Sequence, residues 1–291
     1  MKRLIFLLLA ALFVLLCGCG AEADVPVQLS APPTISEPDN TPANRTVRLC
    51  VTELLGDSPV IAQLRERFER ETPYRLDISR NPDSVALSVA ESGGADVLLV
   101  RRGTAASQFI QAGYTSSEQP LLRDTLAVAG PASDPAGVAS ADTGLQAMLR
   151  ISKSGAGFVS RYDDSDLSVI ETRFWIDAGV FIGDGRKWYV PARKAMQGTL
   201  ELAAEKQMYT LTTLEGCLQS TVRDKLALLL RDKADLQNTY LLLIVDGEAF
   251  DDVNVSGAET FKAFLLTDQT RAFLADYGKA EYGCAVYEVL N

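Results

Sequence analysis

From residue 46 onward the chain alternates two apolar rhythms. Short, nearly continuous or alternating apolar runs at 47–52, 74–79, 96–100, 157–160, 208–211 and 240–245 predict strands. Between them, Ile61, Leu64 and Phe68 recur on one face of a segment ending near Glu71. Ser58-Pro59 opens that segment as a cap with proline at the first helical position. Shorter helices are predicted at 83–91 and at 104–112, the second stopped by Gly113, and longer ones at 141–152, 165–178 and 194–206. A further helical stretch is predicted at 223–231, two closing helices within 256–277, and a last strand within 284–289. The apolar segment 121–129, running into Gly130-Pro131, reads as a crossing between two bodies, and 240–245 is placed to return the chain. Strand and helix in alternation are the cadence of a parallel sheet covered by helices.

The first 45 residues follow neither rhythm. Lys2 and Arg3 precede an unbroken apolar run of 13 residues, 4–16. A membrane-spanning helix needs about 20, so the run reads as the core of a signal peptide. It ends in Leu16-Cys17-Gly18-Cys19, which resembles the bacterial lipobox, where a small residue precedes the cysteine that is acylated. Gly18 makes Cys19 the better candidate, since bulky Leu16 precedes Cys17; the alternative is a plain secretory cut near Ala21 or Ala23. Residues 1–18 are then the leader, and 19–45 a lipid anchor and tether carrying Pro26, Pro32, Pro33, Pro38 and Pro42. This organisation expects a domain held by lipid at the extracytoplasmic face of the cell membrane.

The body of about 245 residues can bury two cores. Loss of Lys2 and Arg3 takes its formal charge from −10 to −12, which argues against nucleic acid as a partner. With no histidine in the chain, histidine-bearing zinc sites and Ser-His or Cys-His nucleophile pairs are excluded. Cys50, Cys217 and Cys284 allow at most one disulfide and are expected as buried free thiols. Asp163, Asp164 and Asp166 read as a solvated acidic turn rather than a metal site. No cofactor and no catalytic residue are expected.

Several segments carry a resemblance. They are Ala95-Asp96-Val97-Leu98-Leu99-Val100 with Ala112-Gly113-Tyr114; Val128-Ala129-Gly130-Pro131-Ala132-Ser133-Asp134-Pro135; and Phe158-Val159-Ser160-Arg161-Tyr162-Asp163-Asp164-Ser165 with Trp175 downstream. Gly198-Thr199-Leu200, Ala204-Glu205-Lys206 and Tyr209-Thr210-Leu211-Thr212 follow in order. Together they resemble the periplasmic tungstate-binding proteins of ABC importers. The resemblance implies an α/β, type II periplasmic-binding-protein fold of two lobes joined by two crossing strands. Lobe one would take 46–126 and 237–291, and lobe two 127–236. It implies a non-enzymatic solute-binding component that delivers a small solute, in the family an oxyanion such as tungstate, to an ABC permease subunit. An envelope sensor or scaffold lipoprotein that has kept the fold and lost oxyanion transport is the second reading.

The resemblance also directs attention to the turns that would hold the ligand, and there this chain departs from it. The first turn reads Val51-Thr52-Glu53-Leu54, with one hydroxyl and a carboxylate where the family has a run of hydroxyls. The next reads Asn81-Pro82-Asp83-Ser84. In the second lobe Arg161 is kept, the neighbouring glycine is Tyr162, whose ring is expected to fill the vacated cleft rather than stack on an organic ligand, and the glycine after Ser165 is Asp166. Candidate ligand-binding residues are therefore Thr52, Glu53, Ser84, Arg161 and Ser165. A carboxylate about 5 Å from a dianion costs roughly 6 kcal/mol at an effective dielectric near 20, about four decades of affinity. Weak or absent tungstate binding is the expectation.

Overall fold

A computed structural model describes residues 44–182 and 186–291. The leader 1–18, Cys19 and nearly all of the tether lie outside the described residues.

The chain runs β1 (Thr46–Thr52), α1 (Glu53–Gly56), α2 (Pro59–Glu71), β2 (Arg75–Asn81), α3 (Asp83–Glu91), β3 (Val97–Arg101), α4 (Thr104–Gln111) and then the long β4 (Thr115–Gly130). Next come α5 (Gly144–Ser154), β5 (Phe158–Ser160), α6 (Asp166–Asp177), β6 (Tyr189–Pro191), α7 (Met196–Lys206), β7 (Thr210–Thr213), α8 (Leu214–Gln219) and β8 (Ala227–Leu230). Strand β9 (Gln237–Val245) returns the chain. Helices α9 (Val255–Leu265), α10 (Asp268–Asp276) and α11 (Lys279–Tyr282) and strand β10 (Glu288–Val289) close it.

The main sheet has the order β10-β4-β9-β3-β1-β2, with β1 parallel to both β2 and β3 and β9 antiparallel to β3. Its central strands are covered on both sides, so their apolar runs are nearly continuous and sort by alternation. Leu49, Val51, Val97, Leu99, Leu242 and Ile244 face Phe68 of α2 and Phe261 and Phe264 of α9. Cys50, Leu98, Val100, Leu241 and Leu243 face Ala86, Leu87 and Ala90 of α3 and Phe109 of α4.

Strand β4 is shared between the two lobes. As far as Thr125 it pairs with β9, where Thr125 faces Gln237; from Leu126 it pairs instead with β7, where Leu126 faces Thr213. Strand β8 then joins it at Val128–Gly130. Pro120, which has no N–H to give a ladder, sits at an irregularity in the β4–β9 register. The second lobe has its own core, in which Phe158 stands edge to face with Trp175 and stacks on Tyr189, clustered with Tyr209, Met148 and Ile151. The fold is a two-lobed α/β periplasmic-binding-protein fold of type II.

Most expected elements are found within two or three residues, and α3 over the expected 83–91. The helix expected at 223–231 is not formed. Only a 3-10 turn stands at Arg223–Lys225, and Ala227–Leu230 is strand β8. Four apolar residues suit either element, and pairing with β4 decides for the strand. The short helices α1, α8 and α11 and strand β6 went unexpected. The last strand covers only Glu288–Val289 of 284–289. Cys50 and Cys217 are buried free thiols, whereas Cys284 is free but only half-buried.

Candidate functional site

Turns leaving the carboxyl ends of β1, β2 and β3 meet turns leaving β5 and β7, the edge at which open α/β sheets bind ligands. Three carboxylates knit this meeting, each reaching from one lobe to donors of the other.

The first is Asp166, at the start of α6 and only 4% exposed. Its Oδ2 accepts the Thr52 hydroxyl at 2.8 Å, and both its oxygens accept the Asp83 backbone N–H, at 3.1 and 3.2 Å. That N–H is the first of α3, where the partial positive charge of the helix favours an anion. Arg101 Nη2 lies 3.6 Å from Asp166 Oδ1, while Arg101 Nε lies 2.7 Å from Asp83 Oδ2. Burial raises the Asp83 carboxyl above its usual range, with Arg101 opposing and Asp166 adding to the shift.

The second is Glu53, which reaches the other way. Its Oε1 accepts the Asp166 backbone N–H at 3.2 Å and lies 3.6 Å from Arg161 Nη2. Half-burial pushes its carboxyl up; Arg161 pulls it down, and the Asp166 charge pushes it up again. Arg161 itself is held by Asp163, whose Oδ2 accepts Arg161 Nε at 2.6 Å. Burial works against the Asp163 charge, but hydrogen bonds from Ser165, Arg161 and Ser168 together hold its carboxyl below the usual range.

The third is Glu215 of α8, which is not among the candidate residues. Its Oε1 accepts Ser58 Oγ at 2.9 Å, Tyr277 Oη at 2.9 Å and Gln219 Nε2 at 2.7 Å, and its Oε2 accepts Tyr287 Oη at 2.8 Å. Ser58 also caps α2 by accepting from Val60 N, so the cap expected there has a second task. Beside Glu215 remains a cavity of about 330 Å³, lined by Leu54, Asp57 and Ser58 on one side and by Arg161, Met196 and Thr213 on the other.

Thr52, Glu53 and Arg161 thus come together around Asp166. Ser165 adjoins them, but its hydroxyl caps α6 by accepting from Ser168 N. Ser84 is exposed on α3 and shares none of these hydrogen bonds; its neighbour Asp83 does. Two sequence expectations change. The acidic turn is not solvated at Asp166, which the distant donors bury. Tyr162 does not fill the cleft: it is 39% exposed, packs edge-on to Tyr189 and lies under the Arg193 guanidinium. Its φ of +49° lies in the left-handed region, a conformation that favours the glycine expected there.

Two lobes closing over strand ends, with helix starts and buried charge between them, define a solute-binding protein. The profile of the PBP superfamily domain matches residues 56–269. The tungstate-binding protein TupA of Peptoclostridium acidaminophilum is 27% identical over 292 residues, covering 99% of this chain and 98% of that one. The structure of the tungstate-binding protein TupA of Desulfovibrio alaskensis G20 superposes with a TM-score of 0.75 at 25% identity, over 84% of this chain and 98% of that one. The structure of the tungstate ABC transporter from Geobacter sulfurreducens gives a TM-score of 0.66 at 26% identity, over 80% of this chain and 98% of that one. The chain belongs to the PBP superfamily, as a divergent relative of the substrate-binding proteins of ABC importers. Its role is extracytoplasmic solute binding for such an importer rather than catalysis.

Proposed function

We propose that this protein is the lipid-anchored capture component of an ABC importer, held at the membrane through acylated Cys19. It receives its solute between a lobe of 46–126 with 237–291 and a lobe of 127–236. The change of partner along β4 at Thr125 and Leu126 supports that division. The solute site is the junction of Thr52, Glu53 and Arg161, bordered by the helix starts that carry Ser84 and Ser165. One observation carries this reading: buried donors and charges from both lobes converge between the strand ends, beside a cavity lined by residues of both.

The named relatives bind tungstate, and an oxyanion is the family-level candidate here. Glu53 and Asp166 both bring negative charge to the position, so tungstate itself is a poor fit. A specific observation also favours a second reading, an envelope sensor or scaffold that has lost transport: the cleft is already bridged by its own carboxylates. Native mass spectrometry of protein extracted from its own membranes, without refolding, tests the main reading. A copurifying small solute that vanishes in Arg161→Ala supports capture; a ligand-free protein in cells supplied with solute favours the sensor or scaffold. Membrane fractionation of Cys19→Ala tests the anchor, and a wild-type protein that is already soluble would end that part of the proposal.

A further inference from the structure

We propose that Asp166 is an internal stand-in for the solute anion: its carboxylate fills the anion subsite between the lobes and thereby sets what the protein can bind. This rests on the reading of the interlobe junction as the solute site.

The hydrogen bonds of Asp166 are what single it out. An acidic residue in the first turn of a helix is ordinarily satisfied by its own helix start. Here Ser165 performs that task for α6, and all three hydrogen bonds accepted by the Asp166 carboxylate come from across the cleft. The donors are those an anion site requires: a fully buried hydroxyl from Thr52, the first N–H of the nine-residue helix α3, and a guanidinium, Arg101, close by. Thr52 lies 114 residues from Asp166 in sequence, so no local turn or cap explains the contact. The backbone N–H of Asp166 in turn serves Glu53, so the two lobes exchange carboxylates. A free dianion in this position would have to displace the Asp166 side chain, because the Thr52 and Asp83 donors are already engaged.

The test vacates the subsite. Asp166→Gly removes the carboxylate; Asp166→Ser does so with a residue well suited to the first turn of a helix, should the glycine variant not fold. Binding of sulfate, tungstate and formate is measured by calorimetry, and amide hydrogen exchange is followed at Asp83. The expected result is that the variants bind one small anion per chain at least on the order of a hundredfold more tightly than wild type. The Asp83 amide, slow to exchange in wild type without any solute, becomes fast in the variants and slow again when the anion is added. A merely structural Asp166 would give the loss of protection without its recovery. Folded variants that bind none of the three anions overturn the proposal while leaving the solute site open to another ligand. Wild type binding tungstate as tightly as the variants also overturns it, yet strengthens the reading of the junction as an anion site.

Discussion

The Tyr287 hydroxyl donates to Glu215 Oε2 across 2.8 Å, joining the C-terminal segment to the first turn of α8 in the other lobe. Burial, followed by the Glu215 charge, drives the Tyr287 phenol far above its usual range, so it remains a donor at any pH the fold tolerates. With Ser58, Tyr277 and Gln219, Tyr287 makes Glu215 a knot of four donors. Glu215→Ala should cost on the order of 3 kcal/mol in urea denaturation, since buried hydroxyls lose their acceptor. Glu215→Gln, which keeps an acceptor oxygen, should cost less than half of that. Equal losses for the two substitutions would mean that shape, not acceptance, holds the lobes there.

Glu171 makes stability depend on pH in a defined direction. Burial raises its carboxyl from an ordinary 4.5 to about 7, although Trp175, Ser160 and Tyr189 all donate to it. The folded protein therefore holds a proton that the unfolded chain has released between those values. The associated stability is complete below pH 4.5 and is lost as pH rises through about 7. The full effect is about 3 kcal/mol. Glu171→Gln should flatten the curve between pH 5 and 8. Asp124, raised by burial to about 6, contributes with the same sign and stays in the background of both proteins. Parallel curves for wild type and variant would refute the assignment.

Restoring hydroxyls to the first turn alone should not create a tungstate site. Glu53→Thr with Leu54→Ser removes one charge, but Asp166 still occupies the Thr52 and Asp83 donors. Leu54 is also buried against the second lobe's core, so its replacement should cost about 2 kcal/mol of stability. Calorimetry should find less than a tenfold gain in tungstate affinity for the double variant. A gain of several decades would assign the discrimination to Glu53 rather than to Asp166.

Gly130, where β4 ends, has no room for a side chain. A Cβ there would stand 2.4 Å from Tyr209 Cδ1. The Tyr209 ring cannot simply turn away, because its hydroxyl donates to Asp134 and accepts from Ala136 N. Gly130→Ala should destabilise the protein by about 1–3 kcal/mol and leave Glu171 protonation unchanged. A neutral melting temperature would show that the ring yields.

The fold was legible where local chemistry and burial agree. Ser58-Pro59 announces α2, and the nearly continuous apolar runs of β1, β3 and β9 announce a sheet covered on both faces. Ala227–Leu230 was not legible, because four apolar residues acquire a conformation only from the strand beside them. The site divided in the same way. Arg161 and Thr52 could be proposed from the turns that carry them. Asp166 stands among acidic neighbours that look solvated, and only Thr52 and the start of α3, far off in sequence, draw it inward. The role of Glu215 was not legible, because three of its four donors, Ser58, Tyr277 and Tyr287, stand far off in sequence.

A carboxylate fixed to the same chain as its donors never dilutes. Asp166 confronts Thr52 and the α3 start at an effective concentration set by the chain that joins the lobes, of the order of millimolar or above for a short tether. Any dissolved anion must compete with that constant internal pool. Its apparent dissociation constant is multiplied by the ratio of the pool to the internal contact's own constant, however good the donors are. Occupancy of this cleft then becomes a threshold in solute abundance, and the threshold shifts with the stiffness of the β4 crossing as readily as with any residue that touches the solute.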